Sequence, residues 1–171
     1  YSTPYNKNHF ILIGDPAITL PEPTYKVVID SVYTSYGESG DVISAGDVVI
    51  VSGHVVNESN DVVDDFSGLI SPTIYDNEET VTTNDNLGYQ GDSKFTYDDY
   101  TRKLFEGSDS IVNGRFSFSF PVPLDNNYSG ENGFICLYAI DKNKTREANG
   151  SFTDFVIEGT SEYLAVDTIG P

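Results

Sequence analysis

Tryptophan and methionine are missing from this 171-residue chain, and cysteine occurs once. One cysteine excludes an internal disulfide. A secreted eukaryotic domain of this kind would carry paired cysteines, so the lone thiol fits a bacterial or a cytosolic protein. Histidine occurs twice, and no G-x-S-x-G is present, which leaves little material for serine hydrolysis. Basic residues are scarce: 9 against 27 acidic ones, a net charge of −18. A surface of that sign repels phosphate backbones and anionic headgroups, which argues against nucleic acid as a partner and against direct membrane insertion. No apolar run approaches the roughly 20 residues that cross a bilayer. The chain starts at Tyr1 without a methionine, as expected of a piece cut from something longer.

Aromatic β-formers are abundant: 12 tyrosines and 10 phenylalanines, which pack well on a pleated surface. The clearest pattern is Ser110-Ile111-Val112-Asn113-Gly114-Arg115, followed by alternation. Asn113-Gly114 suits a type I′ hairpin turn, which needs positive φ at both central residues. Beyond it, Phe116, Phe118, Phe120 and Val122 alternate with Arg115, Ser117 and Ser119. Period two makes one face apolar and the other polar, so a second layer must cover the phenylalanines.

The chain in order predicts strands over 25–33, 47–57, 66–76, 115–122, 133–141 and 151–158, with short ones within 76–90 and 91–107. Residues 36–46, 57–65, 124–132 and 141–150 read as loops or turns. In 47–57, Val49, Val51, Gly53 and Val55 are placed toward the core. Pro72 restricts its strand to an edge or a bulge. Cys136 sits between Ile135 and Leu137 and reads as a small buried hydrophobe. The expectation is an all-β, immunoglobulin-like two-sheet sandwich of about seven strands with Greek-key connections, spanning 25–159. Residues 1–24 read as the tail of a preceding domain plus a proline-flanked linker. Residues 160–171 read as a linker to a following module.

Reactive groupings are few. Cys136 with His54 or His9 is the available thiol–imidazole pair, but a mid-strand position in an acidic chain does not activate a thiol. The carboxylate pairs Asp64-Asp65, Glu78-Glu79 and Asp98-Asp99 are neighbours in loops, not groups held across a cleft. Asp61, Asp64, Asp65 and Asp76 are candidates for loop calcium, although the D-x-[DN]-x-[DN]-G pattern is absent and six to eight oxygens are needed. No other cofactor is expected. Tyr33, Tyr36, Tyr89, Tyr97 and Tyr100 are candidates for a glycan-stacking or partner-binding face. Sequons at Asn57, Asn127, Asn143 and Asn149 carry little information in a chain this rich in Asn and Ser.

The stretch Asn8-His9-Phe10-Ile11-Leu12-Ile13-Gly14-Asp15-Pro16-Ala17-Ile18-Thr19-Leu20-Pro21 resembles the end of the catalytic domain in the gingipain family of cysteine peptidases. Further likeness lies in Val51-Ser52-Gly53-His54-Val55, in the run from Phe66 to Asp76, in Leu104-Phe105-Glu106-Gly107, in Asn113-Gly114-Arg115-Phe116-Ser117-Phe118 and in Leu137-Tyr138-Ala139. The closing Asp167-Thr168-Ile169-Gly170-Pro171 resembles the opening of a following module. Within the family, the match is to the sortase branch of the Bacteroidetes type IX secretion system.

That resemblance implies a surface enzyme at the outer membrane that removes C-terminal sorting domains from cargo and attaches the cargo to anionic lipopolysaccharide. The family's catalytic histidine and cysteine precede the Gly14-Asp15-Pro16-Ala17 turn. No catalytic residue is therefore carried onto this chain, which is expected to be non-enzymatic and to support the peptidase. Its implied partners are the adjacent peptidase domain, later modules of the same polypeptide and outer-membrane secretion components. Asp30-Ser31-Val32, Asp109-Ser110-Ile111 and Asp167-Thr168-Ile169 match the O-glycosylation pattern of the phylum, making Ser31, Ser110 and Thr168 candidate modification sites. The alternative reading is a glycan- or partner-binding sandwich of a cell-surface protein.

Overall fold

The hairpin at Asn113-Gly114 forms as its residues dictate: φ is 51° at Asn113 and 72° at Gly114. It joins a three-residue strand to one whose burial alternates perfectly, with Phe116, Phe118 and Phe120 inside. The computed structural model describes residues 23–37, 41–84, 94–124, 128 and 130–163. These hold twelve strands: β1 Tyr25–Thr34, β2 Val42–Ala45, β3 Val48–Val56, β4 Gly68–Tyr75, β5 Glu79–Thr82, β6 Thr96–Asp99, β7 Lys103–Glu106, β8 Asp109–Ile111, β9 Arg115–Pro121, β10 Phe134–Asp141, β11 Glu147–Phe152 and β12 Val156–Thr160.

Eight strands form one hydrogen-bonded sheet in the order β7-β4-β10-β11-β1-β3-β9, with β8 also on β4. The sheet folds over on itself into two leaves, β4-β10-β11 with β7 and β8, and β1-β3-β9. The join is the start of β1, where Tyr25 and Lys26 run parallel to Ala148 and Asn149 while the rest of the strand pairs antiparallel with β3. The chain crosses between leaves from β3 to β4 and again from β9 to β10, the Greek-key feature of an immunoglobulin-like sandwich. On the far side Phe105 of β7 stacks on Phe120 of β9 at 5.7 Å, nearly closing the sandwich into a barrel. The architecture is therefore all-β and sandwich-like.

The core lies between the leaves. Val49, Val51 and Val55 face Ile70, Ile74, Ile135 and Leu137, all at 1% exposure or less. Fully burying side chains of this size contributes about 1.5–3 kcal/mol each. At one end β2 and β12 pair in parallel and plug the core with Ile43 and Ile157.

Several expectations are corrected. The loop over 36–46 contains β2, because Ile43 and Ala45 have a core to enter. The turn over 141–150 ends early: β11 starts at Glu147 and buries Ala148, and what reads as one closing strand over 151–158 is the end of β11 and the start of β12. Two strands, not one, lie within 91–107.

Pro72 is in an interior strand. Its carbonyl accepts from Gly107, so its nitrogen faces the interval where β4 leaves β8 for β7, and no ladder donor is lost there. Cys136 is exposed, not buried. β10 has apolar residues on both faces, and the leaf turns Ile135, Leu137 and Ala139 inward. The readings of residues 1–22 and 164–171 lie outside the described residues.

Candidate functional site: two anchoring nodes at opposite poles

At the incoming pole the first strand is fastened by Arg146. Asp141 ends β10 with its side chain at 1% exposure. One carboxylate oxygen accepts from the backbone N–H of Thr145 (2.8 Å) and of Arg146 (3.1 Å), and the other from Arg146 Nε (3.3 Å). This tight turn, with Lys144 at φ 57°, aims the guanidinium across to the 57–65 turn. There Nη1 donates to Asp65 Oδ1 at 2.9 Å and Nη2 to the Asp65 carbonyl at 3.0 Å. The guanidinium also lies 5.2 Å from the Phe66 ring centroid and 5.9 Å from that of Tyr25.

Tyr25 in turn meets Phe66 edge-on at 6.1 Å. Two segments distant in sequence, 141–146 and 65–66, are thus tied to Tyr25, where the chain enters the sheet. Backbone donation from Thr145, with help from Arg146, holds the Asp141 carboxyl below its usual range despite its burial. Hydrogen bonding to Asp65, and then to Asp141, raises the already high pKa of Arg146.

The outgoing pole has a second node. Asp47 is 6% exposed, and its carboxylate accepts from the Ser44 N–H at 2.8 Å. Ser44 Oγ donates to the Glu158 carbonyl at 2.8 Å, and the Ser161 N–H donates to the Ala45 carbonyl at 3.0 Å. Tyr163, the last described residue, stacks on Tyr36 at 4.1 Å. Register places the nodes at opposite ends of the sandwich. Lys26 pairs with Val56 at the far end of β3, while Thr34 and Val49 lie beside the start of β3, next to β2 and β12. The ten residues of β1 alone span about 33 Å.

The residues singled out from sequence fall elsewhere. His54 Nδ1 lies 2.9 Å from Asp30 Oδ2 on the outer face of the β1-β3-β9 leaf. The contact exists because β1 bulges between Ile29 and Ser31, turning both Asp30 and Ser31 outward, and no sequence signal marks that bulge. Cys136 is on the outer face of β10 in one leaf and His54 on the outer face of β3 in the other, so the core lies between thiol and imidazole. The shallow groove beside Cys136, about 280 Å³, is lined by Leu137, Asn149, Gly150 and Ser151, with no histidine. His9 lies outside the described residues.

The four candidate calcium aspartates do not converge. Asp65 is taken by Arg146, and Asp76, 2% exposed, by Arg102 Nη1 at 3.1 Å. Among the described residues no three His, Cys, Asp or Glu side chains are placed to hold a metal ion. Ser31 and Ser110 are exposed. Ser31 Oγ lies 2.7 Å from Ser52 Oγ, and the Ser110 N–H donates to Asp109 Oδ1. Thr168, Asn127 and Tyr89 lie outside the described residues. Of the tyrosines, Tyr33, Tyr36 and Tyr97 are exposed, whereas Tyr100 stacks on Phe134 at 4.8 Å. The Asn57 side-chain oxygen Oδ1 accepts from the N–H groups of Ser59 and Asp61.

No protein-family model matches the chain, and no curated protein does. Among solved structures, dimeric latent PorU from Porphyromonas gingivalis superimposes with a TM-score of 0.67 and 25% identity over 87% of this chain. Spo0M, a sporulation control protein from Bacillus subtilis, gives a TM-score of 0.42 at 14% identity, covering 79% of this chain and 49% of that one. A β-glucosidase from Listeria innocua gives 0.32 at 11%, covering 93% and 21%. The chain spans 14% of the length of the PorU chain it matches, and in fold it is similar to that one segment of PorU.

Proposed function

We propose that this chain is a non-catalytic module of a PorU-like sortase of the type IX secretion system. In this reading it follows the peptidase domain directly and holds it at a fixed distance from later modules, on the outer face of the bacterial outer membrane. The parent enzyme would cleave sorting domains from cargo and join the cargo to anionic lipopolysaccharide, as the gingipain-family resemblance implies.

One observation carries the spacer role: the chain enters and leaves at opposite poles, each fastened by its own polar and aromatic node. A flexible linker transmits no orientation, whereas a sandwich gripped at both ends does. The core between Cys136 and His54 supports the absence of a reactive centre. Ser31 and Ser110, exposed on β1 and β8, remain the proposed O-glycosylation sites.

The test is made in the full-length parent polypeptide. Replacing residues 23–163 by a glycine-serine linker should leave hydrolysis of a short peptide substrate intact and abolish cargo processing at the cell surface. An unrelated sandwich of the same end-to-end span should restore processing. Undiminished processing with the flexible linker would overturn the spacer role.

A further inference from the structure

Among the described residues β5 and β6 pair only with each other and stand off the sandwich. Neither strand contributes to the core or to the shell packed on it. A two-stranded ribbon alone is marginal in water. This one is instead secured at its base. Arg102 bonds the buried Asp76 and, at 3.2 Å, Glu79, while Thr101 Oγ1 donates to Glu79 at 2.8 Å.

One face of the ribbon carries Val81 opposite Tyr97, with Phe95 stacked beside Tyr97 at 6.3 Å. Phe95 is 66% exposed and Tyr97 41%, so these rings project into solvent with no core beneath them. With Glu79 paired to Arg102 at the base, the ribbon still presents Glu78, Asp98 and Asp99 against Lys94. Among the described residues no further strand pairs with either outer edge, and a strand edge of this kind offers its backbone groups for pairing.

We propose that this ribbon is a docking arm for an extended, lysine- or arginine-rich segment of another protein, added as a third strand along a free edge. The rings supply apolar contact, the backbone supplies ladder bonds, and the carboxylates select a basic partner. A second copy of this chain would bring like charges against like at the same ribbon, and an anionic lipid or nucleic acid would be repelled outright.

The experiment uses the intact chain and a fluorescent peptide of about six residues alternating lysine with valine. Fluorescence anisotropy should show saturable binding, with none for the glutamate-for-lysine peptide and none when alternate backbone amides of the lysine peptide are N-methylated. Phe95→Ser with Tyr97→Ser should weaken binding about tenfold or more. Glu78→Gln with Asp99→Asn, which keeps the rings, should weaken it and flatten its salt dependence. Neutralising the opposite pole with Glu58→Gln and Asp61→Asn should change neither. Circular dichroism melts confirm that each variant is folded. Absent binding, or binding that persists on N-methylation or falls equally with the Glu58 and Asp61 pair, would overturn the proposal.

Discussion

Pro72 of β4 stands opposite Leu137 of β10, and its carbonyl accepts a hydrogen bond from Gly107 on the other side. Nitrogen and carbonyl of one strand residue face the same way, so the proline ring occupies the break between β8 and β7. Pro72 is buried on the face shared with Ile70 and Ile74, so Pro72→Ala is expected to lower stability by about 2 kcal/mol, from two lost ring methylenes and the looser unfolded chain, with no ladder bond lost. Ser71→Pro, one residue earlier, removes a donor that faces β10 and leaves an interior acceptor unpaired, at about 1–3 kcal/mol plus steric conflict. Urea denaturation of both variants checks the order. Equal losses would place the nitrogen of Pro72 in the ladder after all.

Asp141 should make the fold acid-sensitive. Its carboxyl is held below its ordinary value of 3.8, chiefly by the Thr145 N–H. The folded state therefore binds that proton less readily than the unfolded one. The stabilisation is complete above the ordinary value and is lost as pH falls through the lower folded one. Asp141→Asn should lower the melting temperature at neutral pH, and the gap to the parent chain should narrow between about pH 5 and pH 3. Melting curves for the two chains that stay parallel across that range would contradict the assignment.

Cys136 should behave as an ordinary accessible thiol. It is exposed on the outer face of β10, and among the described residues no histidine lines its groove. A chromogenic disulfide reagent should label it in the folded protein at a rate typical of an unactivated thiol, without denaturant. Cys136→Ser should shift stability by no more than about 0.5 kcal/mol. Labelling that requires unfolding would return this residue to the interior.

How far the residues announced their own structure depends on how strictly they alternate. Phe116, Phe118 and Phe120 sit between arginine and serines, so only one face can be buried, and the strand was legible. Phe134 to Ile140 is apolar at every position, so nothing local says which set turns inward. The answer comes from the facing Ile70 and Ile74, and Cys136 was misplaced for that reason. β2 went unseen because Val42-Ile43 is only a two-residue apolar pair in a stretch rich in Gly, Ser and Asp, and β11 because Glu147-Ala148-Asn149-Gly150 has weak strand character; both are recruited by tertiary pairing. The anchoring nodes were hidden more deeply. Arg146 reaches Asp65 across 81 positions, and the Asp30–His54 contact depends on a bulge that only the paired strand reveals.

Close approach acts alone at Gly53, backbone strain alone at Gly159, and both together at Gly114. A methyl group on Gly53 would fall 2.1 Å from the Val28 carbonyl oxygen and 2.6 Å from the Phe116 ring. Neither can retreat, since the carbonyl belongs to the β1–β3 ladder and the ring to the core. Gly53→Ala should therefore cost about 3 kcal/mol or more, at the upper end of overpacking. Gly159 has φ of +69° but nothing within 4 Å of a new methyl, so Gly159→Ala meets only the left-handed penalty of about 1–2 kcal/mol. Gly114 meets both obstacles, with φ of +72° and the Val63 carbonyl oxygen at 2.5 Å, and should rank with Gly53. Urea midpoints at unchanged m-value give the order directly. A Gly159 variant as unstable as the Gly53 one would mean that the crowding at β3 relaxes more easily than a ladder carbonyl and a core ring allow.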